Sequence, residues 1–218
     1  MKTACIMGSG VEYPIGKIVC LARNYVDHIK ELGNETPAQP VLFMKPATAV
    51  IGSGEEIRIP TYSRECHYEV ELALLVGKGG KDIPEESALD HLAGYGVALD
   101  MTLRDVQNEL KKKGLPWEIA KGFDTSCPLS GFVPADVVAD PQNLRLRLEI
   151  NGELRQDGAT DLMINPVSRI IAHISSLFTL EPGDVILTGT PSGVGPVASG
   201  DRLRAELVGL ATLDVSVK

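Results

Sequence analysis

The segment ECHYEVELALLVG, residues 65–77, places two carboxylates, Glu69 and Glu71, within an otherwise apolar run. Side chains at positions i and i+2 of a β-strand share a face, so the two carboxylates are expected to project together, with His67 beside them. Burial of two like charges is costly unless a cation neutralises them or their pKa values rise. A strand whose Glu-bearing face is solvated has the same spacing, so the spacing alone leaves both interpretations open.

A third carboxylate, Asp100, ends the apolar segment YGVALD. The end of this second strand can converge on the same point as Glu69 and Glu71. Three carboxylates without a Cys or a convincing His partner suit a hard divalent cation, Mg²⁺ or Mn²⁺, with water or substrate in the remaining positions. The sequence therefore predicts a candidate metal site at Glu69, Glu71 and Asp100.

Two further segments carry groups that suit an anionic substrate. Arg104 and Gln107 are three residues apart in TLRDVQ, so on a helix they share a face and can reach a carboxylate or oxo group beside Asp100. A solvated helix face would have the same spacing. The segment LTGTPSGVG lacks the GK[ST] of a phosphate-binding loop and is interpreted as a tight loop. Thr190 and nearby backbone N–H groups of this loop could hold a carboxylate.

His28 and Glu31 form a candidate general-base pair in YVDHIKELG. Their i, i+3 spacing puts them on one helical turn, where the carboxylate can orient the imidazole and raise its basicity while the imidazole deprotonates water. An ordinary surface pair has the same spacing, so this pattern also leaves two interpretations.

The elements that must position these residues follow from periodicity and turn residues. Helical patterns are NYVDHIKELGN with Asn24 as its cap and Gly33 as its end, EESALDHLAGYGVALD running into a strand, TLRDVQNELKKKG with a Gly stop, and PVSRIIAHISSLFTL. Strand patterns are GKIVCLARN, PVLFMKPATAVIG, EEIRIP and GDVILTG, with a hairpin at Asn151-Gly152. We expect a strand-rich protein with few helices.

Length and charge limit the function classes. The chain has 218 residues, 44% of them hydrophobic, which is enough for one substantial core, and we predict a single domain over residues 1–218. Lys and Arg total 21 against 29 Asp and Glu, a formal charge of −8. This charge repels a phosphate backbone and an anionic membrane surface, so we expect neither nucleic acid nor membrane as a partner.

The cysteines and the apolar runs bear on the compartment. The four cysteines, Cys5, Cys20, Cys66 and Cys127, form no CxxC pair, as expected of reduced thiols. The N-terminus has no apolar core typical of a signal peptide, and no apolar run approaches the roughly 20 residues that span a bilayer. The sequence predicts a soluble cytoplasmic protein.

Five segments occur in an order and spacing that resemble the fumarylacetoacetate hydrolase family: HYEVELALLVG, GYGVALDMTLRDVQ, KKKGLPWEIAKGFDTSCPLSGF, INGELRQDG and GDVILTGTPSGVGP. The resemblance is strongest to its small acylpyruvase branch, which includes fumarylpyruvate hydrolases and oxaloacetate decarboxylases or tautomerases. It implies an α+β, strand-rich fold, a mixed β-sandwich rolled into a barrel-like core. It also implies a short N-terminal extension of about residues 1–16, a homodimer, and Mg²⁺ or Mn²⁺ held by Glu69, Glu71 and Asp100.

The resemblance also implies roles for individual residues. Lys121, in EIAKGF, becomes a site cation that stabilises an enolate or a substrate carboxylate, and Arg23 becomes a substrate-binding residue. The segment with His28 and Glu31 becomes a mobile lid that brings the pair over the metal. Ala22 stands where the family often has Gly before the Arg-Asn-Tyr run.

These parts predict a metal-dependent hydrolase that cleaves the C–C bond of acylpyruvates, 2,4-dioxo acids such as fumarylpyruvate or acetylpyruvate. In this hypothesis His28, oriented by Glu31, activates water, and Lys121 helps to stabilise the departing pyruvate enolate. Oxaloacetate decarboxylation or keto–enol tautomerisation at the same site is the alternative. A 2-oxo acid hydratase or dehydratase and a binding module without catalysis are more distant alternatives.

Overall fold

Strands dominate the chain. The computed structural model describes residues 1–31 and 39–218 without the side chains of residues 28–30, so Gly33, the predicted end of the first helix, lies outside the described residues. The α-helices are α1 (Val26–Glu31), α2 (Arg104–Lys113), α3 (Glu118–Lys121) and α4 (Val167–Leu177). The strands are β1 (Thr3–Cys5), β2 (Glu12–Pro14), β3 (Ile18–Ala22), β4 (Val41–Lys45), β5 (Val50–Ile51), β6 (Glu56–Ile57), β7 (Cys66–Tyr68), β8 (Val70–Val76), β9 (Leu92–Leu99), β10 (Thr102–Leu103), β11 (Cys127–Pro128), β12 (Val133–Pro134), β13 (Arg145–Ile150), β14 (Glu153–Ala159), β15 (Val185–Leu187), β16 (Gly195–Val197), β17 (Arg202–Leu207) and β18 (Ala211–Val217). The predicted strand-rich α+β class is confirmed.

Two large sheets form the body of the fold. The first has the strand order β12-β9-β8-β15-β3-β4 and is mixed, because β15 runs parallel to β3 and antiparallel to β8. The second has the order β14-β13-β17-β18-β6, with β6 parallel to β18. Among the described residues both sheets end in free edge strands, so the predicted sandwich is present and its sheets do not close into a barrel.

The strand β8 lies at the centre of the core. All seven of its residues are buried. Leu72 and Leu74 contact the apolar cluster that contains Leu148 of the second sheet, whereas Ala73 and Leu75 face a separate cluster on the other side of the first sheet. Each buried Leu contributes roughly 1.5–3 kcal/mol to the free energy of unfolding, so β8 is a rigid support for the side chains that it carries.

The predicted continuous strand over residues 65–77 is two strands that meet at Glu69. β7 belongs to a three-stranded sheet of order β10-β7-β16, whereas β8 belongs to the first large sheet. The chain passes from one sheet to the other at Glu69. The sequence pattern did not indicate this break, because the apolar alternation continues through it.

Several local predictions are confirmed. The hairpin β13–β14 turns at Asn151 (φ 54°) and Gly152 (φ 82°), the two positive φ angles that a type I′ turn requires. α2 ends at Gly114 in the left-handed conformation (φ 63°). α4 buries Val167, Ile170, Ile171 and Ile174, one face of an amphipathic helix.

The predicted helix that runs into a strand is confirmed. Glu85–His91 forms a 3-10 helix that leads directly into β9, and its two buried residues, Ala88 and His91, follow the three-residue period of that helix. The predicted capping role of Asn24 is wrong. Its side-chain oxygen, the atom that would cap α1, accepts the Asn165 N–H at 2.8 Å, and its side-chain N–H groups donate to the carbonyl oxygens of Asn165 and Thr188, at 3.1 and 2.9 Å.

The predicted N-terminal extension contains the strand pair β1–β2, and Cys5 of β1 accepts a hydrogen bond from the Phe132 N–H at 2.9 Å. In the described part of the chain, no helix has the length and apolar character needed to cross a membrane.

Candidate metal centre and active site

The three predicted carboxylates converge. Glu69, Glu71 and Asp100 each offer an oxygen atom, and these atoms all lie within 4.8 Å of one another. All three residues are buried, with 5% of Glu69 and 1% of each of the other two exposed. The Asp100 N–H donates to the Glu69 carbonyl oxygen at 2.8 Å, so the backbone itself joins the end of β9 to the β7–β8 junction.

Two cations that the sequence predicted lie against this cluster. The Lys121 ammonium group, at the end of α3, donates to Glu69 Oε2 at 2.9 Å and to Asp100 Oδ2 at 2.6 Å. Burial by itself would lower the pKa of Lys121, but the charges of Asp100 and Glu69 outweigh it and raise that pKa. Arg104 Nη2 donates to Glu69 Oε1, and Arg104 Nη1 donates to Gln107 Oε1 at 2.7 Å. Lys121 is therefore charged, and hydrogen bonds hold both side chains in place.

A third cation, Lys45, was missed by the sequence analysis. Its ammonium nitrogen is fully buried at the end of β4 and lies 2.8 Å from Asp100 Oδ1. It donates to the Lys121 carbonyl, to the Ser126 carbonyl at 3.0 Å and to Ser126 Oγ at 3.2 Å. A lysine within the apolar run VLFMKPATA was the one signal that could have identified it.

The donor set fits a hard divalent cation. All candidate ligand atoms are carboxylate oxygens, the type that Mg²⁺ and Mn²⁺ prefer. Asp100 Oδ1 is buried and, among the described residues, accepts no hydrogen bond of acceptable geometry, even though the Lys45 ammonium is close. Burial, together with the charges of Asp100 and Glu69, raises the pKa of Glu71 well above its usual range, despite a hydrogen bond from the Gly189 N–H at 2.7 Å. A bound cation would give Asp100 Oδ1 a partner and would favour the ionised form of Glu71.

The carboxylates open into a small cavity of about 30 Å³. Its wall carries cations: Arg23, Arg104, Lys111 and Lys121. Burial lowers the pKa of Lys111 to about 8, and the neighbouring charges of Arg104, Arg23 and Lys121 add to this effect. This concentration of positive charge beside the candidate metal site suits a small anionic substrate.

Comparison with known proteins decides the family. The model of the fumarylacetoacetate hydrolase C-terminal family matches residues 17–218. The chain belongs to the fumarylacetoacetate hydrolase family. The resemblance that the sequence motifs indicated is therefore confirmed.

Curated relatives share about half of their residues with this family member. It is 52% identical over 201 residues to the mitochondrial oxaloacetate tautomerase FAHD1 of Mus musculus. The aligned residues cover 92% of this chain and 91% of the relative. It is 53% identical over 197 residues to the oxaloacetate tautomerase YcgM of Escherichia coli strain K12, which covers 90% of both. The crystal structure of fumarylpyruvate hydrolase from Pseudomonas aeruginosa in complex with Mn²⁺ and pyruvate is 40% identical, with a TM-score of 0.94, covering 99% of this chain and 95% of that chain.

The structure gathers eight of the predicted site residues of this fumarylacetoacetate hydrolase family member around one cavity. They are Arg23, Glu69, Glu71, Asp100, Arg104, Gln107, Lys121 and Thr190. Arg23 has a positive φ of 61°, an uncommon conformation for a residue other than Gly, which indicates that its neighbours constrain it. The individual roles of these residues stay predictions.

The predicted lid pair is described only in part. α1 carries both residues, but the side chain of His28 lies outside the described residues, so its contact with Glu31 stays a prediction. Both carboxylate oxygens of Glu31 accept the Gly193 N–H, at 3.1 and 3.2 Å. Glu31 therefore connects α1 to the loop that follows Thr190.

His67 and Lys111 flank the predicted site residues in the sequence. His67, expected beside the glutamates, has its Nε2 atom 2.8 Å from Glu65 Oε1, and burial lowers its pKa. Lys111, which the sequence analysis missed, follows Arg104 and Gln107 at position i+7 of α2 and so continues the same helix face. The spacing of these three residues was a signal that could have found Lys111.

Proposed function

We propose that this protein is a divalent-metal-dependent enzyme of 2-oxo dicarboxylic acids and that keto–enol tautomerisation of oxaloacetate is its main reaction. The observation that carries the proposal is the identity of 52–53% with two oxaloacetate tautomerases over at least 90% of the chain. The sequence analysis ranked this activity behind acylpyruvate hydrolysis. The relatives support the reverse order.

The site supports the binding of such a substrate through its charges. Oxaloacetate carries two carboxylates, and the cavity offers the guanidinium groups of Arg23 and Arg104 and the ammonium groups of Lys111 and Lys121. Arg104 is itself held by Gln107 and Glu69, so its remaining N–H groups are oriented before substrate binds. Cations that are fixed in this way bind an anion with little loss of conformational entropy.

The site also supports enolisation. Tautomerisation removes a proton from C3 and delivers a proton to the C2 oxygen, so negative charge develops on that oxygen. A divalent cation held by Glu69, Glu71 and Asp100 would polarise the 2-oxo group as a Lewis acid. Lys121 offers a charged N–H beside the same carboxylates and stabilises the developing charge. In this proposal His28, oriented by Glu31, exchanges the C3 proton.

Acylpyruvate hydrolysis is the second candidate, because it passes through the same type of enolate. The observation that favours it is the TM-score of 0.94 to a fumarylpyruvate hydrolase in complex with Mn²⁺ and pyruvate. That complex also supports Mn²⁺ as a metal for this chain, with Mg²⁺ as the other choice that the oxygen ligands allow. The homodimeric state and the cytoplasmic location stay predictions.

The test is a comparison of substrates with purified protein. Loss of the enol absorbance of oxaloacetate is followed with Mg²⁺, with Mn²⁺ and after chelation, beside acetylpyruvate and fumarylpyruvate hydrolysis. We expect metal-dependent tautomerisation with a kcat/KM above that of either hydrolysis. Hydrolysis with the higher kcat/KM would make the second candidate the main function, and full tautomerisation in the chelated protein would overturn the metal model.

A further inference from the structure

A buried amide outside the predicted site, Gln156, has no role in the reaction described so far. It lies in β14, the edge strand of the second sheet, where its neighbours Arg155 and Asp157 are exposed. Gln156 itself is only 1% exposed. Such a side chain on an edge strand is unusual, because Gln is mostly found at the protein surface.

Gln156 connects the metal-binding strand to the loop that contains Thr190. Its Oε1 atom accepts the Val70 N–H at 2.9 Å, and Val70 lies between the predicted metal ligands Glu69 and Glu71. Its Nε2 atom donates to Thr190 Oγ1 and to the Pro191 carbonyl oxygen, both at 2.9 Å. One side chain therefore joins three segments that are distant in the sequence.

These partners determine the direction of every hydrogen bond. The Val70 N–H is only a donor and the Pro191 carbonyl is only an acceptor, so the amide has one orientation that satisfies both. Nε2 then faces Thr190, and Thr190 Oγ1 must accept that hydrogen bond. A hydroxyl group has a single proton, which remains available in another direction. Thr190 lines the cavity, so that proton is available to a bound ligand.

The backbone around Gln156 is held against the same loop. A Cβ atom on Gly158 would lie 2.4 Å from Pro191 Cβ, and a Cβ atom on Gly193 would lie 2.4 Å from the Arg155 carbonyl oxygen. Only glycine allows this close approach of β14 and the loop. The distance between Gln156 and Thr190 is therefore set by backbone packing and not by the amide alone.

We propose that Gln156 is a positioning residue that makes the Thr190 hydroxyl a hydrogen-bond donor to an anionic oxygen of the substrate. This inference rests on the proposed function and specifies how the site selects its substrate. A carboxylate or enolate oxygen accepts the Thr190 proton. A ligand group that can only donate would have to use the second lone pair of Thr190 Oγ1 and would leave the hydroxyl proton without an acceptor there, so an accepting oxygen is favoured over it.

A double-mutant cycle with Gln156→Met and Thr190→Val tests the inference, with oxalate as the probe in the presence of Mn²⁺. Oxalate is a planar dianion that resembles a pyruvate enolate. Titration calorimetry should show at least about tenfold weaker oxalate binding for Gln156→Met, the loss expected for a hydrogen bond to a charged group. Thr190→Val should show a similar loss, and Thr190→Ser should bind like the wild type. In the Thr190→Val background, Gln156→Met should change the affinity less than about twofold, because its effect passes through the hydroxyl.

Gln156→Glu provides a second route if Gln156→Met fails to fold, because it keeps the size of the side chain and an acceptor for the Val70 N–H. It removes both amide donors, so the Thr190 hydroxyl donates to the new carboxylate and oxalate binding falls by the same amount. Mn²⁺ affinity measured without oxalate should stay within about twofold of wild type in the variants that add no charge, Gln156→Met, Thr190→Val and Thr190→Ser.

The outcomes separate this inference from the proposed function. Losses that add in the double variant, a parallel loss of Mn²⁺ affinity, or wild-type oxalate binding in Thr190→Val would each overturn the role of Gln156 and leave the proposed function standing. Wild-type protein that binds Mn²⁺ but no oxalate would overturn the proposed function and this inference together.

Discussion

The Lys121 ammonium group donates a hydrogen bond to Asp100 Oδ2 at 2.6 Å. A side-chain cation thus contacts an oxygen of the proposed metal ligand set, and it contacts Glu69 in the same way. Lys121 partly neutralises the carboxylates and repels a second cation that enters between them. The same group is needed for the proposed reaction, so metal affinity and turnover should respond to its removal in opposite directions.

Replacement of Lys121 by Met should tighten Mn²⁺ binding and slow catalysis. Loss of the ammonium leaves Asp100 and Glu69 with less compensation, so we expect at least about tenfold higher Mn²⁺ affinity by calorimetry. Tautomerisation should fall on the order of a hundredfold, because a donor to the developing charge is lost. Lys112→Met, which removes an exposed cation of α2, is the matched control and should change neither. Parallel losses of affinity and turnover would contradict this account.

Replacement of Glu71 by Gln should stabilise the metal-free protein and abolish its response to metal. The raised pKa of Glu71 means that its ionised form is unfavourable in the folded state, so a neutral amide of equal size removes that cost at neutral pH. Thermal melting should show a higher Tm for the variant in chelator and a smaller rise of Tm on addition of Mn²⁺ or Mg²⁺ than in wild type. Glu86→Gln, at an exposed position, serves as the control. An unchanged metal response would remove Glu71 from the ligand set.

Oxalate affinity should fall as the pH rises through about 8. The pKa of Lys111 is lowered to about 8, so the cation beside the cavity loses its proton above that pH, and an anionic ligand loses one attractive charge. Between pH 7 and 9 the loss should reach up to about tenfold in wild type and be smaller in Lys111→Gln.

The stability of the ligand-free protein should change with pH in the opposite direction to the oxalate affinity. Folding lowers the pKa of Lys111, so the unfolded chain binds more protons between about pH 8 and the usual lysine range near 10.4. The contribution of Lys111 to the free energy of unfolding therefore rises with pH in that window. Urea unfolding of wild type and Lys111→Gln at both ends of the window measures it. Identical pH profiles for the two proteins, in binding and in stability, would show that Lys111 does not titrate there.

Replacement of Gly193 by Ala should loosen the contact between α1 and the Thr190 loop. Gly193 has φ 99°, its Cβ would lie 2.4 Å from the Arg155 carbonyl oxygen, and its N–H donates to Glu31. The added methyl group shifts the backbone here and displaces Glu31 from its hydrogen bond with Gly193. KM for oxaloacetate should therefore rise, and the free energy of unfolding should fall by ~1–3 kcal/mol. Gly200→Ala is the matched control, because Gly200 has φ 94° and nothing within 4 Å of an added Cβ. Gly200→Ala should lower the free energy of unfolding without raising KM. An equal rise of KM in both variants would contradict a role for the contact between Glu31 and Gly193.

The local sequence was sufficient to predict the turns and helices that depend on local interactions. The hairpin turn at Asn151 and Gly152 and the end of α2 at Gly114 were predictable, because positive φ angles favour those residues whatever surrounds them. The apolar face of α4 was predictable for a similar reason, since a period of 3.6 residues is visible in any amphipathic helix. The shared side of Glu69 and Glu71 followed from strand geometry, even though the strand itself is interrupted at Glu69.

Only the tertiary structure decided which polar residues are buried together. Gln156 looks like an ordinary surface residue in the sequence, and only the apolar run around Lys45 distinguishes that lysine. Each is buried by segments far away along the chain: Lys45 by the Lys121–Ser126 region, Gln156 by Val70 and Thr190. A polar residue can be buried only where distant partners satisfy it, and local periodicity carries no information about those partners. The sequence by itself thus identified the carboxylates, three of the cations and the family that uses them, whereas the burial of Lys45 and of the Gln156 amide depended on contacts between distant segments.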